Sequence, residues 1–265
     1  MSTSKPTMSS ASALLPFRGR QSSRRLEDFR RPSLLWSAGI LMLGVVPATL
    51  MDVPLARWIH RHPAPRWLDA TLDILAFYGT PGGLAIVVVV LTLFLRRRRW
   101  TAPRLATLAA GGGAAATAAK LFVLRPRPNA LPITSSAYDY AWIWSFDPTL
   151  SRVASFEPAM RAFPSSTLAM AAALTVGLWA VVPRLRWIGL VCCLGTMAHR
   201  LHNNAHFASD LFGSIAVGMT WAWLCFHPRL LGGVFDRLEE TKRHRKIACE
   251  GDTERPEPQI LRRAA

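Results

Sequence analysis

Residues His199 to Asp210 read H-R-L-H-N-N-A-H-F-A-S-D, so three histidines, an arginine and an aspartate fall within one short stretch. Apolar runs flank it, Trp187 to Ala198 before and Leu211 to Phe226 after. Ionisable side chains between such runs are expensive to keep, and a functional site is the default reading. His206 and Asp210 are four residues apart, which on a helix places them on one face. The carboxylate can then hold one ring nitrogen and leave the other free. That is how a nucleophilic or basic histidine is oriented. The plain alternative is a polar cluster at a helix end, satisfied by water.

A second set of cations lies upstream: Lys120, then Arg125-Pro126-Arg127-Pro128. With Arg200 they suit a phosphoryl group, since arginine forks bind its oxygens in pairs and lysine adds a point charge. Either Arg125 or Arg127 could serve, and either could instead be a plain interface anchor. Ser165 follows Pro164 at the start of an apolar run. Its hydroxyl and the backbone N–H groups after it would face an anion at a helix N-terminus. Histidine within such a cradle can attack phosphorus, with the cations stabilising the charge that spreads over the oxygens. A metal site built from His199, His202, His206 and Asp210 is the competing chemistry. Three cations crowding the same place argue against it, so no metal and no cofactor are expected.

The elements that must position these residues are apolar. The chain has 265 residues, 51% hydrophobic and 18% charged, less charge than a soluble domain of this length usually carries. Its 32 Lys and Arg against 16 Asp and Glu gather at the ends of apolar runs. The charge rule of membrane proteins accounts for that better than a nucleic-acid partner, and none is expected. The four cysteines form no C-x-x-C pair.

Hydropathy and charge predict six spans: Leu34 to Leu50, with Pro47 ending or kinking it; Phe77 to Arg96; Ala102 to Ala119; Ser165 to Val182; one opening at Trp187; and one from Ser209, as N-cap, to Phe226. Asp52 to Asp73 reads as one or two short helices on the outer surface. Gly111-Gly112-Gly113 marks the third span as a close-packed central helix. The long segment from Asn129 to Ala162 reads as a lid or interfacial element, with Trp142 and Trp144 in the aromatic belt. Arg96 to Arg99, Arg184 and Arg186 point inward. The expected architecture is therefore an all-α, integral membrane six-helix bundle with both termini cytoplasmic. A disordered basic tail occupies 1–33, the membrane domain 34–226 and a charged tail 227–265, with a helical stretch around Val234 to Lys246. This topology gathers Lys120, Arg127, Ser165, Arg200 and His206 at one membrane face.

Three motifs carry a resemblance. K-x6-R-P runs from Lys120 to Pro128. S-R-x5-H-x3-D runs from His199 to Asp210, with His199 in place of the serine. Phe163-Pro164-Ser165-Ser166-Thr167 stands where P-S-G-H would stand. Their order and spacing resemble the type 2 phosphatidic acid phosphatase family of membrane lipid phosphatases, related to vanadium haloperoxidases. The resemblance covers Leu34 to Phe226. It implies a metal-free phosphohistidine mechanism on a lipid phosphate or a diphosphate such as polyprenyl diphosphate. It further implies Lys120, Arg127 and Arg200 as phosphate ligands, Ser165 and the Ser166 N–H completing the cradle, His206 as nucleophile and Asp210 as its partner.

Thr167 departs from that pattern, because the family has there a histidine that protonates the leaving group. A threonine hydroxyl is too weak an acid near neutral pH for the task. Three readings follow. His202 or His199 supplies the proton; or the substrate is a diphosphate, whose leaving group needs little help; or the protein binds lipid phosphate without turning it over. Arg and Ala usage suggests a bacterial inner membrane with the site facing the periplasm.

Overall fold

The computed structural model describes residues 29, 32–94, 101–131, 144–151 and 157–239. The expectations placed on residues 1–28, on Arg96 to Arg99, on Trp142 and on residues 240–265 lie outside the described residues. Seven α-helices are bounded among them: α1 Ser33–Arg61, α2 Arg66–Phe77, α3 Pro81–Phe94, α4 Ala102–Phe122, α5 Ser166–Val181, α6 Arg186–His202 and α7 Ala208–Phe226. A two-stranded antiparallel sheet, β1 Val123–Leu124 with β2 Ser145–Phe146, is added at the end of α4. The molecule is thus mostly helical.

The six-span bundle is not what the helices form. Among the described residues only α1 and α4 are long and apolar enough to cross a membrane, and a third crossing requires counting α2 with α3 as one span bent by 64°. The reason is geometric. α5 has 16 residues and α6 has 17; at 1.5 Å per residue each is roughly 24–26 Å long. A hydrocarbon core is about 30 Å thick. α7 has 19 residues but opens on Ala208-Ser209-Asp210, which dilutes its apolar character. The orientation expected with six spans, both termini cytoplasmic, loses its basis with them. Two candidate spans give a membrane-associated topology.

Other boundaries also move. α1 runs 29 residues, straight through Pro47 and Pro54, so Asp52 lies inside this helix rather than in a surface element. Its side chain is buried, at 2% exposure. α7 begins after Phe207 as N-cap, not Ser209. Asp210, at the third helical position, reaches back to accept the Phe207 N–H at 2.9 Å, half of a capping box. α6 ends as expected at Asn203-Asn204: the Asn203 N–H donates to the His199 carbonyl, and Asn204 has φ 47°. Asparagine tolerates that left-handed conformation better than most residues. Residues 231–239 are helical, tied to the start of α4 by Arg104 pairing with Asp236 and Glu239.

α4 sits against both α5 and α7, as the glycine run suggests. A Cβ at Gly112 would lie 2.9 Å from the Ala173 Cβ of α5, and one at Gly111 would lie 2.2 Å from the Trp221 ring of α7. Small residues at these positions let the helix backbones approach. The core joins Leu105, Leu108 and Ala109 of α4 to Leu168, Leu174 and Leu178 of α5 and to Leu211 and Phe226. α1 packs along α7, and α2 along α6.

Candidate active site

Four helix ends meet. Lys120 lies in the last turn of α4, α5 starts after Ser165, Arg200 lies in the last turn of α6 and α7 starts two residues after His206. The backbone fixes their register. Arg125 and Arg127 donate N–H to the Met160 and Ala159 carbonyls, both at 2.8 Å, and Ala162 donates to the Arg125 carbonyl at 2.9 Å. Asn129 donates to the Asn204 carbonyl at 3.0 Å. The segment after α4 is thereby stitched to the approach of α5 and to the α6–α7 turn. Arg161, fully buried, donates to the carbonyls of Lys120 (2.5 Å) and Leu121 (3.1 Å). It satisfies the last turn of α4, whose carbonyls have no helical partner.

His206 is buried, at 4% exposure. Burial comes first among the influences that push its ring down to about 3; the charges of Lys120, Arg127 and Arg200 follow, and a backbone hydrogen bond with Ala162 opposes them. Lys120, Arg127 and Arg200 thus act electrostatically on the imidazole, and the downward shift favours the neutral ring, which keeps a nitrogen lone pair. His206 Nδ1 lies 3.9 Å from Asp210 Oδ2, beyond hydrogen-bond length. Asp210 is fully buried, and its carboxyl is pushed up to about 6 by that burial, against the pull of Arg125 and the Phe207 N–H.

Several polar atoms here are buried with no protein partner: His206 Nδ1, Ser165 Oγ, Arg127 Nε and Arg200 Nε. The Ser165 N–H donates to Ser214 Oγ at 2.7 Å, which fixes the residue while leaving its hydroxyl unpaired. Unpaired buried donors are uncommon. Donors and cations around one neutral imidazole form a set suited to an oxyanion carrying more than one charge. Arg200 also donates through Nη2 to Thr167 Oγ1 at 2.9 Å. Thr167 therefore steadies a cation of the site, a role its type did not suggest. Ser166 is the first residue of α5, so its N–H is among those left free at a helix start.

His199 and His202 face a different element. His199 Nε2 lies 2.8 Å from Asp73 Oδ1 and His202 Nε2 3.1 Å from Asp69 Oδ1, both carboxylates on α2. They are thereby drawn away from His206 and Asp210. Among the described residues no group of three or more histidine, cysteine or acidic side chains is arranged to hold a metal ion.

Arg125 corrects its reading as an interface anchor. It is fully buried and pairs with Asp52 of α1 at 2.5 Å and with Asp210 of α7. It also donates to Ser209 Oγ at 2.7 Å. Its guanidinium lies 4.3 Å from the Trp144 ring centroid and 4.6 Å from that of Phe207. Trp144 is thus a packing partner rather than a belt residue. Asp52 closes the cluster by accepting the Ser209 N–H at 2.9 Å. Sequence reasoning gave Asp52, Arg161, Ser209 and Ser214 no part in the site. The one available signal for Asp52 was a lone carboxylate directly after an apolar run.

Residues 103–230 match the PAP2 superfamily. This stretch holds the whole cluster around His206, whereas Asp52 lies outside it. The match supports a hydrolase of the phosphatase or phosphotransferase type. No curated protein and no solved structure matches the chain.

Proposed function

We propose that the PAP2 superfamily domain over residues 103–230 makes this chain a membrane phosphohydrolase acting on a lipid phosphate or lipid diphosphate. His206 attacks phosphorus in line; the N–P bond forms as the bond to the leaving oxygen breaks, and water then hydrolyses the phosphohistidine. Lys120, Arg127 and Arg200 hold the transferring oxygens, with Ser165 and the Ser166 N–H. Asp210 stabilises the imidazolium that forms. The observation that carries this reading is the buried His206, with its Nδ1 and atoms of Ser165, Arg127 and Arg200 all buried without a protein partner. Charge spreading over phosphoryl oxygens is the load such a site is built to bear. Arg184 and Arg186 lie at the ends of α5 and α6 remote from the site.

Thr167 favours a diphosphate as substrate. Its hydroxyl accepts from Arg200, and a leaving phosphate monoester departs without the strong acid an alkoxide needs. The same observation supports a second reading, a lipid-phosphate-binding protein that does not turn over. Phosphate release by the purified full chain, in vesicles containing polyprenyl diphosphate or phosphatidic acid and with chelator present, decides between them. The expected result is release that His206→Ala lowers at least about 100-fold, faster on the diphosphate. Equal release by wild type and His206→Ala would sink the enzymatic reading.

A further inference from the structure

The charge on Asp210 is not its own to use. Arg125 faces it directly, and a single arginine–aspartate pair is neutral overall. A neutral pair would give little stabilisation to a positive charge developing on the neighbouring imidazole. Asp52 changes the count: two carboxylates share one guanidinium, which leaves one net negative charge in a cluster sealed from water. Asp52, Arg125 and Asp210 are each exposed by 2% or less, so solvent screens them little. Ser209 ties the first carboxylate in place through both its N–H and its hydroxyl. Asp52 comes from α1, and it reaches the site because α1 packs along α7.

We infer that Asp52 is a positioning residue for the reaction: through Arg125 it holds Asp210 in place and keeps the cluster beside His206 net negative. The inference rests on the phosphohydrolase reading. It extends the site beyond the matched domain to α1, so the domain alone lacks part of its machinery. The groups acting on Asp210 are Arg125, Asp52, the Phe207 N–H, Lys120 and His206. Asp52 raises the pKa of Asp210. Removing its charge therefore lets Asp210 ionise at lower pH while leaving it fully cancelled by Arg125.

The experiment is steady-state phosphate release by full-length Asp52→Asn, a nearly isosteric change, across pH 4 to 9 (roughly spanning the carboxyl and imidazole ranges). kcat should fall on the order of tenfold or more, with KM within about twofold. The acid limb of kcat/KM, which wild type should show near 6 as Asp210 ionises, should move to lower pH. A loss of packing alone would lower the plateau without moving the limb. Asp52→Glu, which restores the charge, should recover part of kcat and return the limb toward its wild-type position, and Asp52→Ser takes over the readouts of charge removal if the asparagine variant does not fold. An active wild type with kcat and acid limb unchanged in the charge-removing variant overturns this inference and leaves the phosphohydrolase reading standing. A wild type no faster than His206→Ala overturns both.

Discussion

Arg125 and Arg127 are two residues apart and of one type, yet they should respond oppositely to the same change. Arg125→Met removes the guanidinium that two buried carboxylates share. Breaking a buried pair from one side costs about 3–5 kcal/mol, because the charge left behind has no solvent to turn to. Here two carboxylates are left, and contacts with the Trp144 and Phe207 rings go as well. The loss should sit at the upper end, about 4–5 kcal/mol. The pH dependence has a definite sign. Burial already pushes the Asp210 carboxyl up to about 6, and the variant loses the arginine that pulls it down, so the deficit is largest above that range and shrinks as pH falls and Asp210 protonates. Arg127→Met should do none of this. Its Nε has no protein partner, and its charge adds to those of Lys120 and Arg200 around His206. Removing one of three crowded cations should change stability by less than about 1 kcal/mol in either direction, while phosphate release collapses. Equilibrium unfolding in mild detergent, followed by the fluorescence of the chain's 10 tryptophans, reads both variants under one condition. Equal losses, or a larger loss for Arg127→Met, would refute the division between a structural and a substrate-facing arginine.

Two further outcomes follow from local geometry. Gly112→Ala should cost about 1–3 kcal/mol, since the new Cβ meets Ala173 Cβ at 2.9 Å and the Ala169 carbonyl at 3.0 Å. Gly39→Ala, with nothing within 4 Å, should instead gain up to about 1 kcal/mol from helix propensity; the same unfolding assay compares them, and a loss at Gly39 equal to that at Gly112 would count against the packing argument. Thr167→His should raise phosphate-monoester hydrolysis about tenfold or more by supplying an acid, with less effect on a diphosphate; no gain on the monoester would mean that this position does not face the leaving group.

Some of this was legible in the amino-acid order alone. His206 and Asp210 at helical spacing, the Lys120-to-Arg127 interval and Ser165 at a helix start are local patterns. The chain's own periodicity puts such residues at helix ends, whatever packs around them. The glycine run of α4 likewise announced a close approach before its partners were known.

What needed tertiary structure was any property set by a partner distant in sequence. Arg125 read as a surface anchor because its type favours the interface; it is buried because Asp52, 73 residues away, and Asp210, 85 away, neutralise it. His199 and His202 looked available to the site because they flank Arg200, but on a helix neighbours in sequence point in different directions, and α2 supplies Asp73 and Asp69 to take them. The count of spans failed for a related reason. Apolar composition reports what a helix can bury, whereas the length of each helix, and whether a break bends it, decides whether the buried face meets lipid or other helices. Hydropathy is a sum over neighbours in the chain; charge pairing and span length are settled by where those neighbours end up in space.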